Sequence, residues 1–396
     1  MDNTPRKIQL KQGKEASIKR LHPWIFSGAI AKKEDGIAEG DLVEILAADG
    51  SFLGTGHYQN NSIAVRLLSF KPEKIDAEFW KKRISNAIKY RASIGLINNE
   101  NTNAFRLIHG EGDGLPGLII DYYNGAAVIQ MHSAGMYFSR DIIVDTLKEI
   151  FKEKLHTIYD KSSGTLPFKS GIELKNEFLL GNTGKTTIKE NNCLFSVDWL
   201  EGQKTGFFLD QRDNRKLVQD YSKGKQVLNT FCYTGGFSVY ALKGGAIQVD
   251  SVDSSAKAIE LTNENVALNY PETTAHKAYT EDVFQFLNNI DNKYDLIILD
   301  PPAFAKHHNV LKNALQGYKK INQKAIESIK PGGILFTFSC SQVVSKDDFR
   351  QSVFVAAANT GRTVRILHQL TQPTDHPVNI YHQESEYLKG LVLQIE

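Results

Sequence analysis

Cysteine is scarce: Cys193, Cys232 and Cys340 are the three in 396 residues, far apart and in no CxxC pair. This excludes a disulfide framework or a structural zinc motif and points to a reducing compartment. Long apolar runs are missing as well. No stretch of about eighteen apolar residues occurs, so no membrane-spanning helix is expected, and the polar opening MDNTPRKIQLKQGKE lacks the apolar core of a signal peptide. A cytoplasmic protein is expected. An excess of one charge is absent too, because 47 Lys and Arg stand against 45 Asp and Glu; nucleic-acid binding would have to come from local patches. The adjacent His307 and His308 have no further ligands around them, and no metal is expected.

Complete phosphate-binding motifs are also lacking. Gly112, Gly114 and Gly117 spell GxGxxG, but Pro116 and the β-rich run that follows fit a turn between strands, where no helix N-terminus receives a phosphate. The segment GNTGKTT at 181–187 lacks the Walker spacing and a following helix, and also reads as a turn.

What is present has the length of two or three domains, with 41% hydrophobic and 23% charged residues, as in ordinary soluble proteins. Residues 1–72 alternate in period two and predict an all-β module with hairpin turns at Asp49-Gly50 and Gly54–Gly56. Within it, Lys19 to Phe26 interleaves cations and aromatics in a way that suits RNA, although Trp24 and Phe26 equally fit a core. Residues 73–190 predict an α+β region, with a helix over 76–97, strands at 105–108, 117–123 and 126–132, a helix over 138–155, and strands at 178–180, 186–190 and 194–197 around its end.

The rest of the chain, 191–396, is organised around KQVLNTFCYTGGFSVYALKGGAIQVDSVD at 225–253. It predicts a strand over 226–229, a small-residue turn over 230–236, a helix start over 237–243 and a second strand ending at Asp253. Such a β-α-β turn lies at the carboxyl edge of a parallel sheet, where Gly235 and Gly236 let the backbone approach a ligand and Asp253 can accept from a ribose diol. Cys232, Tyr233 and Thr234 stand where a diphosphate loop would be glycine-rich, which favours S-adenosylmethionine over a dinucleotide. Further strand and helix patterns at 275–299, a helix ending near Lys330 and a strand over 332–338 complete a doubly wound sheet.

Two strand ends carry chemistry. Asp300 opens Asp300-Pro301-Pro302-Ala303-Phe304 directly after the apolar strand 294–299, and its prolines make a rigid loop that offers carbonyls and Phe304 to a planar substrate. Ser339-Cys340-Ser341 ends the strand at 332–338, a polar position in which a thiol is reachable, whereas Cys193 and Cys232 read as buried hydrophobes.

With RLHPWIFSGAI at 20–30, GQKTGFFLDQRDNR at 202–215, VLNTFCYTGGFSVYAL at 227–242, LDPPAFAK at 299–306, SCSQ at 339–342, DHPV at 375–378 and EYLKGLVL at 386–393, the chain resembles a known family over nearly its whole length. The family is the PUA-domain-containing class I methyltransferases that make 5-methylcytosine in bacterial large-subunit ribosomal RNA. The resemblance implies a multidomain α/β protein: a β-barrel-like PUA domain, a connecting α+β domain and a Rossmann-like catalytic domain, usually paired as a homodimer. It implies that Phe231, Tyr233 and Gly235 line the methionine end of S-adenosylmethionine, that Asp253 holds the ribose, and that Asp282 and Val283 flank the adenine. It further implies that Asp300 contacts the target base and Cys340 is the nucleophile.

Cytosine C5 is too poor a nucleophile to take a methyl group unaided, and a thiolate adding at C6 makes it enamine-like, with the base extruded from its stack. Hydrogen bonding or protonation at N3, a role that fits Asp300, helps the addition. One departure stands out. Two-cysteine relatives carry their second cysteine after a proline in the loop following the fourth strand, where this chain has Pro302 and Ala303, so the resemblance names no base for the C5 proton. A relative with the same GFFLDQR stretch methylates guanine N7 without a cysteine, and SCS at 339–341 favours cytosine over that alternative. A catalytically inactive RNA-binding assembly factor is a third reading, against which the intact Asp253, Asp300 and Cys340 count.

Overall fold

The computed structural model describes residues 5–166, 174–305 and 307–396. The chain divides into two compact units: Met1–Thr186 with Asp198–Gly206 and Thr374–Ser385, and Thr187–Val197 with Phe207–Pro373 and Glu386–Glu396.

In the first unit a six-stranded sheet is built from Arg6–Leu10, Trp24–Phe26, Ile30–Lys33, Leu42–Leu46, Phe52–Tyr58 and Ile63–Ser69. The pairing is antiparallel except between Arg6–Leu10 and Leu42–Leu46. Alternation in sequence becomes alternation in burial, with Ile8, Leu10, Val43, Ile45, Val65 and Leu67 in one core. The turn expected at Asp49-Gly50 is present, Gly50 taking φ +86° and Asp49 Oδ1 accepting from Ser51 N at 2.9 Å. The turn expected at Gly54–Gly56 is not. Both glycines lie inside the strand Phe52–Tyr58, because a Cβ would stand 2.7 Å from Ser69 O at Gly54 and 2.2 Å from Arg66 O at Gly56; glycine there permits close backbone approach.

The same unit holds a five-stranded sheet of Ala104–His109, Leu118–Tyr123, Ala126–Met131, Thr157–Asp160 and Glu177–Leu180, covered by the helices Ala77–Ser93 and Arg140–Phe151. Asp76 caps the first helix by accepting from Phe79 N at 3.2 Å. The helix expected over 138–155 runs Arg140–Phe151 and continues as a 3-10 turn, Lys152–Lys154, and a separate short helix, Ala134–Phe138, precedes it across Ser139. The four-residue strand Thr157–Asp160 was not foreseen. The GxGxxG stretch is a turn, Gly114 and Gly117 taking positive φ beside a short 3-10 turn, whereas the turn expected over 181–187 is not formed: residues 181–184 are an irregular link and residues 185–187 open the strand Lys185–Glu190. Polar ties hold the two returning segments within this unit. Thr205 Oγ1 donates to Asp121 Oδ2 at 2.6 Å, Arg91 Nη2 donates to Asp375 O at 2.7 Å, and Asp375 Oδ2 accepts from Arg106 N at 2.9 Å. The DHPV segment thus begins in a buried structural tie.

The second unit is a seven-stranded sheet of β1 (Gln226–Thr230), β2 (Gln248–Asp253), β3 (His276–Thr280), β4 (Leu296–Leu299), β5 (Gly333–Ser339), β6 (Val364–Leu370) and β7 (Lys389–Ile395). Its order is β3-β2-β1-β4-β5-β7-β6, with β7 antiparallel to both neighbours and the pairs among β1 to β5 parallel. Successive residues go to opposite faces: Leu228, Ile297, Leu299 and Leu335 pack with the helices Leu311–Ser328 and Lys346–Thr360. Val227, Leu296, Ile298, Ile334 and Phe336 pack with Arg212–Tyr221 and Gly236–Lys243. Burial on both faces explains the continuous apolar runs of β4 and β5. Strand order reverses between β1 and β4, the switch point at which such sheets bind ligands beyond their carboxyl ends.

Candidate active site

Each site residue expected in the second unit lies on that carboxyl edge. The loop Phe231–Gly235 follows β1, Asp253 ends β2, Asp282 follows β3, Asp300 follows β4 and Cys340 follows β5.

The β1 loop is strained. Phe231 at φ +53° and Tyr233 at +46° both take the left-handed region, as does Gly235 at +73°. Each non-glycine residue there costs roughly 1–2 kcal/mol, and such strain concentrates at ligand sites. It is fixed from below: Thr262 Oγ1 donates to Tyr233 O at 2.8 Å, and Asp253 Oδ2 accepts from Tyr233 N at 3.1 Å. Gly235 is required by its φ and by the helix Ala256–Asn269, since a Cβ would lie 2.8 Å from Thr262 Cγ2. Asp253 Oδ1 accepts from Ser255 N at 3.0 Å, so each oxygen has one backbone donor and keeps lone-pair capacity.

Asp282 caps the short helix Val283–Phe286, its carboxylate accepting from Gln285 N at 3.0 Å. The Val283 side chain is 2% exposed in the core beneath the edge, so its backbone is what it can offer a ligand.

Asp300 is half-buried and accepts from Gln211 Nε2 at 3.0 Å, while Gln211 Oε1 accepts from Asn214 Nδ2 at 2.6 Å, which fixes the amide's orientation. Burial and the neighbouring Asp210 push the Asp300 carboxyl up to about 7, against the Gln211 hydrogen bond and Arg215. At neutral pH a large fraction is therefore a neutral acid that can donate a hydrogen bond. Asp210 is held by Tyr387, whose hydroxyl donates to Oδ2 at 2.7 Å. Arg215 makes a two-point pair with buried Glu190, both contacts 2.8 Å, and donates to Phe208 O at 2.9 Å, which anchors the segment carrying Asp210 and Gln211.

The Asp300 loop and the Cys340 loop are tied together, Ser341 Oγ donating to Ala305 O at 2.6 Å. Phe304 is less available than expected: its half-buried ring lies 4.7 Å from that of Tyr318 and against Gly317. Lys306 and the side chain of His308 lie outside the described residues. Of the three thiols, Cys340 alone is partly exposed. Burial pushes Cys232 up to about 12 and raises Cys193, in keeping with their reading as buried hydrophobes. Lys389, at the start of β7, donates from Nζ to Ser341 O at 2.5 Å.

Gln211, Asp210, Tyr387 and Lys389 stood inside the quoted motifs with no role assigned. The only available signal was their placement in segments that also carry apolar residues.

In the first unit, the cation and aromatic stretch divides. Trp24 Nε1 donates to Glu111 Oε1 at 2.8 Å, and its ring lies 4.2 Å from that of His382, whereas Phe26 is 47% exposed and Lys19 and Arg20 are exposed. Among the described residues no cluster of three His, Cys, Asp or Glu side chains could hold a metal ion, and no helix is long and apolar enough to cross a membrane.

The S-adenosylmethionine-dependent methyltransferase family matches the chain over residues 105–380, more than half its length. The chain belongs to that family. A PUA-like domain matches residues 8–70, and the methyltransferase's cofactor is S-adenosylmethionine. Among curated relatives, the ribosomal RNA large subunit methyltransferase I of Aeromonas hydrophila is 41% identical over 98% of each chain. The Escherichia coli protein of the same name (strain SMS-3-5) is 38% identical over 98% of this chain and 99% of its own. Among solved structures, a putative methyltransferase from Streptococcus mutans superimposes with TM-score 0.83 at 24% identity, covering 98% of this chain and 99% of that one. A second, also 24% identical and of the same coverage, was crystallised with S-adenosylhomocysteine and gives 0.84. At that identity the likeness is one of fold.

Proposed function

We propose that this methyltransferase modifies C5 of a cytosine in large-subunit ribosomal RNA through a covalent adduct of Cys340 at C6. The observation that carries the reading is the pairing, on one sheet edge, of a partly exposed thiol with a carboxyl group pushed up to about 7. The relatives named ribosomal RNA large subunit methyltransferase I supply the substrate class.

The strained loop and Asp253 suit the cofactor. Backbone groups at Phe231, Tyr233 and Gly235 would receive its methionine end, Asp253 its ribose, and Asp282 with the Val283 backbone its adenine. Bound there, S-adenosylmethionine supplies an electrophilic methyl group. Cys340 Sγ, as thiolate, forms a bond to C6, and the displaced π electrons make C5 nucleophilic. Asp300 in its acid form donates to N3 and takes up the charge that the addition delivers to the ring. After C5 has gained its methyl group, loss of the C5 proton restores the double bond, the S–C6 bond breaks and the thiolate returns. Exposed Lys19, Arg20 and Phe26 would contact RNA. The reading carries with it a cytoplasmic location and a homodimer, the latter testable by light scattering.

The test is transfer of labelled methyl to large-subunit RNA from cells lacking the protein, with the product base mapped. Wild type is expected to yield 5-methylcytosine and Cys340→Ala none. A methylated guanine, or activity retained by the variant, overturns the covalent reading in favour of guanine N7. No transfer by wild type favours the assembly-factor reading.

A further inference from the structure

Cys340 leaves β5 one residue after Ser339, which pairs in register with Lys389 on β7. Lys389 is 4% exposed, and its ammonium donates to Ser341 O, the carbonyl of the residue following the thiol. Among the described residues it has no carboxylate within ion-pairing distance; nearby Glu386 is paired with Lys346. A buried ammonium whose acceptor is a single carbonyl carries a large desolvation cost unless an anion lies close. The strand register and the bond to Ser341 O set Lys389 beside the strand end that carries Cys340, and Cys340 and Glu386 are the groups that favour its charge.

We propose that Lys389 is a positioning residue that holds Cys340 as its thiolate, a role that rests on the cysteine reading above. The thiol gives its proton to solvent and Lys389 keeps its own, which leaves an ammonium–thiolate pair. Sulfur addition to C6 consumes the anion, and cleavage of the S–C6 bond restores it, so the lysine also favours thiolate departure. Other described groups act on the same pair. Glu386 and Lys346 act on Lys389, and Tyr318, its hydroxyl accepting from Ser339 at 2.9 Å, is acted on by Cys340 and Asp300. Burial pulls Lys389 down to about 8, with Cys340 and Glu386 opposing and Lys346 adding to the drop; burial pushes Tyr318 up to about 12.

The test is iodoacetamide alkylation of the native protein as a function of pH, reading the Cys340 peptide by mass spectrometry. The buried Cys193 and Cys232 serve as internal monitors of folding. Lys389→Met is expected to raise the alkylation midpoint by about one pH unit or more, a roughly tenfold slower reaction near neutral pH, and Lys389→Arg to keep the wild-type midpoint. An unmoved midpoint in Lys389→Met, with Cys193 and Cys232 still protected, overturns the proposal. If that variant exposes them, Lys389→Gln, which keeps a donor for Ser341 O without the charge, is judged by the same criterion. The measurement needs neither RNA nor methyl transfer. A failed cytosine reading therefore leaves the shifted midpoint intact, and a failed ion pair leaves methyl transfer intact.

Discussion

Replacing Asp300 with asparagine is expected to stabilise the protein while abolishing methyl transfer. In the folded state the Asp300 carboxyl titrates near 7, against 3.8 for a free side chain. Between those values the folded protein holds a proton that the unfolded chain releases. The group's contribution to stability is therefore fully present below the unfolded value and is lost as pH rises through about 7. About three units at about 1.4 kcal/mol each is an upper bound of about 4 kcal/mol, which partial solvent access reduces to roughly 2 kcal/mol. Asparagine keeps an oxygen that can accept from Gln211 and carries no charge, so the loss disappears. Trp24, Trp80 and Trp199 all belong to the first unit, so fluorescence does not report on this site and calorimetry is the assay. The melting temperature of Asp300→Asn should exceed that of wild type only slightly near the unfolded carboxyl value. The gap should widen to roughly 4–8 °C at mildly alkaline pH. Parallel melting profiles across that range, or a less stable variant at alkaline pH, would show that Asp300 holds no raised carboxyl in the folded protein.

Three further outcomes follow from contacts in the same structure. Gly235→Ala should destabilise the second unit by roughly 2–4 kcal/mol, from its positive φ and its clash with Thr262. Adding Thr262→Ser, which removes the clashing methyl and keeps the hydroxyl, should return part of that loss in urea unfolding followed by circular dichroism. Arg215→Met leaves Glu190 buried without its partner and should cost roughly 3–5 kcal/mol by calorimetry. Gly56→Ala, whose Cβ would stand 2.2 Å from Arg66 O, should lower the urea midpoint of the first unit, read by tryptophan fluorescence.

The second unit was the more legible because its central strands β4 and β5 are buried on both faces. Leu296–Leu299 and Gly333–Ser339 have few alternatives to a covered parallel sheet, and a polar residue directly after such a strand must emerge at its carboxyl edge. Asp300 and Cys340 could be placed for that reason, and Asp253 by its strand-end position after the glycine turn. Gly54 and Gly56 misled because glycine marks both turns and close backbone approach, and only the partner strand distinguishes them. Ser139 gives no breaker signal within its helical pattern, and four residues at 157–160 carry too little periodicity to declare a strand. The left-handed Phe231 and Tyr233 were invisible, since aromatics rarely take positive φ and the strain is imposed by tertiary contacts. Gln211 and Lys389 are polar residues that ordinarily face solvent; what gives them a role is the burial they acquire in the folded unit.

A covalent bond between Cys340 and cytosine C6 is trapped by RNA carrying 5-fluorocytidine. Fluorine at C5 cannot leave as a proton does, so after methyl transfer the S–C6 bond cannot be released and the adduct persists. Incubation with S-adenosylmethionine should give a denaturant-stable protein–RNA species whose mass maps to the Cys340 peptide, absent in Cys340→Ala. Failure to form that species under conditions in which the protein methylates unmodified RNA would rule out a covalent bond at C6.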